Sequence, residues 1–177
     1  MDTAPQARTD LKLRFAGIHL DELEAMPNRR GDDFERAHAE SFLYHLLGVR
    51  DAFLAELNIC YRAGLPPSHV TPGTLRRALE AAGLHSPELA ELFILQNDPG
   101  SWFNLAKGMR DHSTHNMGVP RMFHVGGPHD GETWLHQPDS GDVVPRDYVD
   151  EFREWYVRMG ELVKRLRATA RNNSAWL

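Results

Sequence analysis

The pattern of apolar and polar positions predicts two long helices, one in each half of the chain. In the first half, apolar side chains recur every three or four residues and share one helix face: Phe42, Leu46, Val49, Phe53, Leu57 and Cys60. A second stripe beside it, Leu43, Leu47 and Leu54, predicts burial on more than one side. In the second half, the same spacing predicts a bundle-type seam that packs against the first face: Tyr148, Phe152, Trp155, Met159, Leu162 and Leu166.

Capping and helix-breaking residues predict where the helices begin and end. Asp32 or Asp33 can cap the central helix, and Gly64 with the prolines that follow ends it. Residues 1–9 are predicted to be disordered, and a short helix is predicted over about 10–26. Further short helices are predicted at about 71–82, 86–95 and 101–114, and the closing helix is predicted to start near Pro145.

The segment 118–144 differs from the rest because it is rich in Gly, Pro, His and Asp. Two short runs within it, 122–125 and 132–135, are predicted to pair as a β-hairpin. A lone hairpin is only marginally stable, so we expect it to pack on the helices through Phe123 and Trp134. The predicted fold is mainly α: a single domain over residues 10–171, built as a helical bundle with two long antiparallel helices and this small hairpin insertion.

Composition and charge narrow the possible functions. The chain has 177 residues, one cysteine and a formal net charge of −5, so a single domain is expected and a broadly basic nucleic-acid binder is disfavoured. Basic residues concentrate over 153–171, which indicates a solvated helix face or, alternatively, a stripe that faces phosphates. Because no signal-peptide core and no membrane-length apolar run is found, we expect a cytoplasmic protein without a membrane partner.

The densest polar run lies at the end of the predicted helix 101–114 and includes Arg110 and His115. Arginine is always charged and grips phosphate, whereas histidine titrates near neutrality and can move a proton. The pair suits phosphodiester cleavage, with His115 as acid and base and Arg110 stabilising the charge that grows on phosphorus. Asp111 would orient Arg110 or a water, and the predicted substrate-binding residues are Thr114, Asn116 and Arg50. For Arg50, an exposed ion pair is the simpler interpretation.

Arg110-Asp111 followed by His115 resembles the motif of the HEPN superfamily of helical-bundle proteins. The predicted order of helices, with the motif helix between two long ones, is also similar. This resemblance implies a homodimer with both motifs facing a shared cleft, and a ribonuclease that uses no metal or other cofactor. Many members are toxins or defence proteins, which implies RNA as substrate and a cognate antitoxin as partner. Other members are inactive, so a non-catalytic dimer that binds a nucleotide or a protein partner is the alternative.

One geometric condition applies to this site. Five residues along an ideal helix place the side chains of Arg110 and His115 about 140° apart. The two can meet only if the last turn loosens or if a partner subunit supplies half of the site.

A third hypothesis uses the spacing of His112 and His115, which suits two metal ligands on one helix face and would resemble DinB-type metalloenzymes. The tryptophans Trp102, Trp134 and Trp155 are predicted to be core residues rather than a base-stacking platform.

Overall fold

The computed structural model describes residues 5–26, 32–115, 118–137 and 141–172. These residues form a mainly helical protein with one small antiparallel sheet. The helices are α1 (Pro5–Ala25), α2 (Asp33–Cys60), α3 (Pro72–Ala81), α4 (Pro87–Asn97), α5 (Trp102–His115) and α6 (Tyr148–Asn172). The strands are β1 (Arg121–Phe123), β2 (Thr133–His136) and β3 (Val143–Asp147). Among the described helices, none has the length and apolar character needed to cross a bilayer.

Helix α2 is the centre of the core, as the two apolar stripes predict. It begins at the predicted cap, where the Asp32 carboxylate accepts a hydrogen bond from the Glu35 amide. Cys60 is partly buried, whereas the other eight residues of the two predicted stripes are almost completely buried: Phe42, Leu43, Leu46, Leu47, Val49, Phe53, Leu54 and Leu57. The Phe42 ring stacks on Phe152 of α6 with centroids 4.5 Å apart. The predicted contact between the two apolar seams is therefore confirmed.

The prediction that α2 and α6 are antiparallel is wrong, because their contacts pair start with start and end with end. Glu35 near the start of α2 accepts from the Tyr148 hydroxyl at the start of α6, and Glu56 near the end of α2 binds Arg167 near the end of α6. Helix α1 is the antiparallel neighbour of both, since Thr9 bonds to Glu56 and Glu24 bonds to Arg153. Residue spacing specifies the buried face of a helix but not the direction of its neighbour.

Helix α1 is longer than predicted, since it begins at Pro5. The predicted disorder is therefore wrong for residues 5–9, while residues 1–4 lie outside the described part. Tertiary contacts hold this end, because the Thr9 hydroxyl donates to buried Glu56 and the Gln6 carbonyl accepts from Arg167. Ala16, Leu20 and Leu23 are buried, whereas Ile18 is 49% exposed.

The sheet contains the predicted hairpin and one strand that the sequence did not indicate. β1 pairs antiparallel with β2, with Met122 opposite Trp134, which confirms the hairpin. β3 adds to the other edge of β2, so α6 begins at Tyr148 rather than near Pro145. Leu135 on β2 is fully buried, whereas Phe123 is 48% exposed, so the predicted packing through Phe123 is wrong.

A cluster of three side chains, largely shielded from solvent, holds the sheet against the helices. Arg121 of β1 donates Nη1 to the Glu35 carboxylate at 2.6 Å, and the Tyr148 hydroxyl donates to the same oxygen. The Arg121 guanidinium also lies over the Tyr148 ring, 4.9 Å from its centroid. The chain that leaves α5 is thus anchored to the starts of α2 and α6 six residues after His115.

Candidate functional site at the end of α5

The polar residues at the end of α5 face outward because the opposite side of the helix is buried. Ser101 begins the helix by accepting from the Asn104 amide. Phe103, Ala106 and Met109 then recur every third residue and are all buried. Beyond Met109, the side chains of the predicted site lie at intermediate or high exposure. The buried face therefore presents the site to solvent rather than to the core.

Arg110 is held in place by its neighbour Asp111. The guanidinium donates Nε and Nη2 to Oδ1 of Asp111 at 3.0 and 2.6 Å. Lys107, one turn earlier, donates Nζ to the other carboxylate oxygen at 2.9 Å. Partial burial acts to raise the pKa of Asp111, but the hydrogen bonds from Arg110 and Lys107 outweigh it and hold that pKa below its ordinary value. Two cations share one carboxylate, which leaves surplus positive charge. We call Lys107, Arg110 and Asp111 the α5 cation cluster.

His115 is the last residue of α5 and is exposed. Because the helix continues through His115, its last turn is not loosened, and the angle of about 140° between Arg110 and His115 stands. Within one chain the structure therefore does not bring these two side chains into one pocket. Thr114 directs its hydroxyl to the Arg110 carbonyl at 2.9 Å, so that proton is not directed to a phosphate. Asn116 lies outside the described residues.

Arg50 occupies a different place from the one predicted for it. Its guanidinium donates Nε and Nη2 to Asp51, donates Nη1 to Gln96 of α4 at 3.0 Å, and lies over the Phe103 ring of α5. The side chain is only 13% exposed. Arg50 therefore joins α2, α4 and α5, and none of its described hydrogen bonds reaches the α5 cation cluster. The ion pair with Asp51 is present, but Arg50 is largely shielded rather than exposed.

The metal hypothesis for His112 and His115 requires a third ligand close to them. Among the described residues, no group of three or more His, Cys, Asp or Glu side chains is arranged to hold a metal ion. The histidines of α2 make hydrogen bonds instead, His38 with His19 and His45 with Lys12.

A groove beside α6 was not singled out from the sequence. A cavity of about 420 Å³ lies between the start of α5 and α6, and Trp102 and Arg158 line it. A second cavity of about 250 Å³ shares both residues and also contacts Arg165. Trp102 is thus half-buried at a groove rather than a core residue, and part of the predicted basic stripe lines that groove. Arg158 and Arg165 also pair with Glu154 and Glu91.

The chain was compared with known proteins. No family model, no curated protein and no solved structure matches it.

Proposed function

We propose that this protein is an HEPN-like ribonuclease that cleaves RNA phosphodiester bonds without a metal ion, in a homodimer. The observation that carries the proposal is the α5 cation cluster one turn before exposed His115. Arg110 is oriented by Asp111 before any substrate arrives, which removes an ordering cost from phosphate binding. A nucleic-acid phosphate would meet a positively charged site, to which the second protomer would bring its His115 imidazole.

The guanidinium keeps bonding capacity for a phosphate. Among the described residues, Nη1 of Arg110 makes no hydrogen bond, and the side chain is 26% exposed. A phosphate oxygen can accept from Nη1 without displacing Asp111. Lys107 is 38% exposed and adds a second positive charge at the other oxygen of the same carboxylate. Arg110 and Lys107 would hold the phosphate, and His115 would transfer the proton.

A second protomer completes the site in this proposal. Arg110 and His115 point about 140° apart on one regular helix, so a single chain supplies one half of a reaction centre to each side. In a two-fold dimer, if one residue of the first protomer contacts a second residue of its partner, the same contact also forms with the two protomers exchanged. His115 of one protomer would then face Arg110 of the partner subunit. The order of helices, with α5 between long α2 and long α6, supports the likeness on which the dimer rests.

The proposal is tested with the purified full chain and fluorescently labelled single-stranded RNA, in buffer with a metal chelator. We expect His115→Ala and Arg110→Ala each to lower the cleavage rate at least about 100-fold, the usual contribution of general acid–base catalysis. His69→Ala is the matched control, because His69 is exposed and lies far along the chain from α5. Equal cleavage by the variants and the wild type would refute the proposal, as would loss of wild-type cleavage in the chelator.

Mixing the two variants tests the shared site. Neither variant alone should cleave, but half of the re-equilibrated dimers carry one intact site out of two. We therefore expect on the order of a quarter of wild-type activity to return on mixing. A mixture as inactive as its components would place both residues in one chain's site.

The groove beside α6 favours a second candidate, a non-catalytic dimer that binds a nucleotide. Its volume of about 420 Å³ suits a small ligand, Trp102 offers a ring for stacking, and Arg158 offers a cation. Titration of the protein with a nucleotide should quench fluorescence in the wild type and not in Trp102→Phe. Arg158→Gln should weaken binding, while Arg153→Gln, on an exposed ion pair of the same helix, should not.

A further inference from the structure

Three histidines lie side by side where α1 packs on α2, on a face that the proposed function does not use. His19 belongs to α1, and His38 and His45 lie two turns apart on α2. The Nδ1 atoms of His19 and His38 are 3.1 Å apart. The rings of His19 and His45 stack almost parallel, with centroids 5.5 Å apart and an angle of 5° between them. We call His19, His38 and His45 the histidine ladder.

Aromatic rings continue the ladder at both ends. Phe34 lies against His38, with centroids 4.4 Å apart. Phe15 and Tyr44 each meet the edge of His45 at 5.2 Å. The three imidazoles are therefore partly shielded from water although they lie on the outer side of the helix pair. Shielding disfavours the charged form of a histidine.

Among the described residues, one lysine and one glutamate are the charged neighbours that act on His19 and His45. Lys12 of α1 has its ammonium 3.5 Å from Nδ1 of His45 and 4.9 Å from the centre of the Tyr44 ring. Glu22, also on α1, is the carboxylate whose charge acts on His19. Helix α6 packs on α1 through Tyr156, which lies against Gly17. Lys12 therefore opposes protonation of His45, whereas Glu22 favours protonation of His19.

The contacts within the ladder need neutral imidazoles. A histidinium carries a donor on both ring nitrogens, whereas neutral imidazole keeps one lone pair. The contact between His19 and His38 is a hydrogen bond only while one of the two Nδ1 atoms keeps its lone pair. His45 likewise accepts from the Lys12 ammonium only while its Nδ1 is unprotonated. Full protonation turns each hydrogen bond into a contact between two donors.

We propose that the histidine ladder is a proton-sensitive fastening of α1 to α2, intact at neutral pH and weakened when the histidines protonate in mild acid. In acid, Lys12 and His45 become two cations in contact, and the stacked rings of His19 and His45 repel each other. On α1 the ladder consists of His19, which lies toward the opposite end of that helix from the Thr9–Glu56 bond. Acid would therefore release one end of α1 first.

The direction of the pKa shifts agrees with this geometry. Burial lowers the pKa of His19, the charge of His38 lowers it further, and Glu22 partly opposes both. Burial also lowers the pKa of His45, with Lys12 and His19 acting in the same direction. Because these pKa values are lower in the folded state, the unfolded chain binds more protons than the folded chain at pH values between the folded and the unfolded pKa. The stabilisation is complete above the ordinary histidine pKa of about 6.5 and is lost as the pH falls through the lower folded values.

The first test compares the free energy of unfolding of the full chain in urea at pH 7.5 and pH 5.5. The triple variant His19→Asn, His38→Asn and His45→Asn keeps an acceptor near each Nδ1 but cannot titrate. When the pH is lowered from 7.5 to 5.5, we expect the folding equilibrium constant of the wild type to fall at least about tenfold more than that of the triple variant. A tenfold difference corresponds to a shift of about one pKa unit. The control is His69→Asn with His85→Asn, two exposed histidines that leave the ladder untouched. Equal losses in the wild type and the triple variant would overturn the proposal.

The second test is local and does not need a stable triple variant. Histidine NMR signals of the wild type should titrate below the ordinary midpoint for His19 and His45. Lys12→Gln should raise the midpoint of His45, because it removes a neighbouring positive charge. Amide protection factors should fall in α1 relative to α3 between pH 7.5 and pH 5.5. Ordinary midpoints, or a pH-independent protection of α1, would refute the ladder as a fastening.

Discussion

Two arginine–carboxylate pairs of this protein have the same chemistry and opposite surroundings. Arg167 of α6 donates Nε and Nη2 to the two carboxylate oxygens of Glu56 at 2.9 and 3.0 Å, and Glu56 is fully buried. Arg110 donates to Asp111, the next residue of the same helix, and both side chains remain partly exposed. The first pair joins three helices, whereas the second only orients a side chain that solvent can reach.

The remaining contacts of the two pairs explain the difference. Glu56 also accepts from Thr9, and Arg167 also binds Asp10 and the Gln6 carbonyl, so every strong donor and acceptor finds a partner inside the protein. Burial acts to lower the pKa of Arg167, but its bonds to Glu56 and Asp10 raise the pKa overall. Arg110 has one bonded carboxylate, which a second cation shares. A pair whose guanidinium nitrogens and carboxylate oxygens are all bonded stabilises the fold, whereas a pair with a nitrogen that no described residue bonds, such as Nη1 of Arg110, can bind a ligand.

The largest expected effect is on the buried pair. Glu56→Ala leaves the Arg167 charge without its main partner, so we expect a loss of about 3–5 kcal/mol in the free energy of unfolding, measured in urea. The control is Arg165→Ala, also on α6, which breaks an exposed pair with Glu91 of α4. We expect it to cost less than about 1 kcal/mol. Similar losses for both variants would show that burial does not distinguish them.

A smaller effect is expected when only the third partner of the buried carboxylate is removed. Thr9→Val keeps the shape of the side chain but removes the hydroxyl that donates to Glu56 at 2.7 Å. We expect a loss of about 1–3 kcal/mol, because one oxygen of a buried charged group loses a donor. Thr169→Val removes an exposed hydroxyl that bonds within its own helix and should cost less. A change below that of Thr169→Val would mean that α1 does not depend on this bond.

A substitution in the exposed Arg110–Asp111 pair should lower RNA cleavage much more than it lowers stability. Asp111→Asn removes the charge that orients Arg110, and we expect it to change the free energy of unfolding by less than about 1 kcal/mol. RNA cleavage, if the proposed function holds, should fall far more than stability, because the guanidinium loses its fixed orientation. Asp51→Asn alters the similar pair with Arg50 and should leave cleavage unchanged. A parallel fall in stability and cleavage would make Asp111 a structural residue.

The smallest expected effect is the pH dependence of the exposed pair. The folded-state pKa of Asp111 is lowered, so its stabilisation is present at neutral pH and is lost as the pH falls through that lowered value. Arg110→Met should raise the midpoint of Asp111, measured by carbon NMR of its carboxyl group. An unchanged midpoint would show that Lys107 alone holds the carboxylate, and the proposed preorganisation of Arg110 would fail.

The elements of the fold were largely predictable, and their arrangement was less so. The stripes through Phe42 and Phe152 predict buried helix faces because helical spacing repeats in the sequence itself. Strand β3 was missed since Pro145 and the short run around it favour a helix start as much as a strand edge. The site was predicted as a set of residues, but Arg50 and Thr114 bond elsewhere. Spacing along the chain does not show which partner a polar side chain meets.

The sequence alone determined the apolar faces of α2 and α6, the caps at which α2 to α5 begin, and which polar run stands at the end of α5. These are local properties, and each depends on residues within a few turns of one another. Tertiary structure alone decided that α2 and α6 run parallel, that Glu56 and Arg167 meet, and that three histidines contact one another between α1 and α2. Such contacts join residues far apart in the chain, and they form only when packing of the whole core sets the direction and depth of each helix.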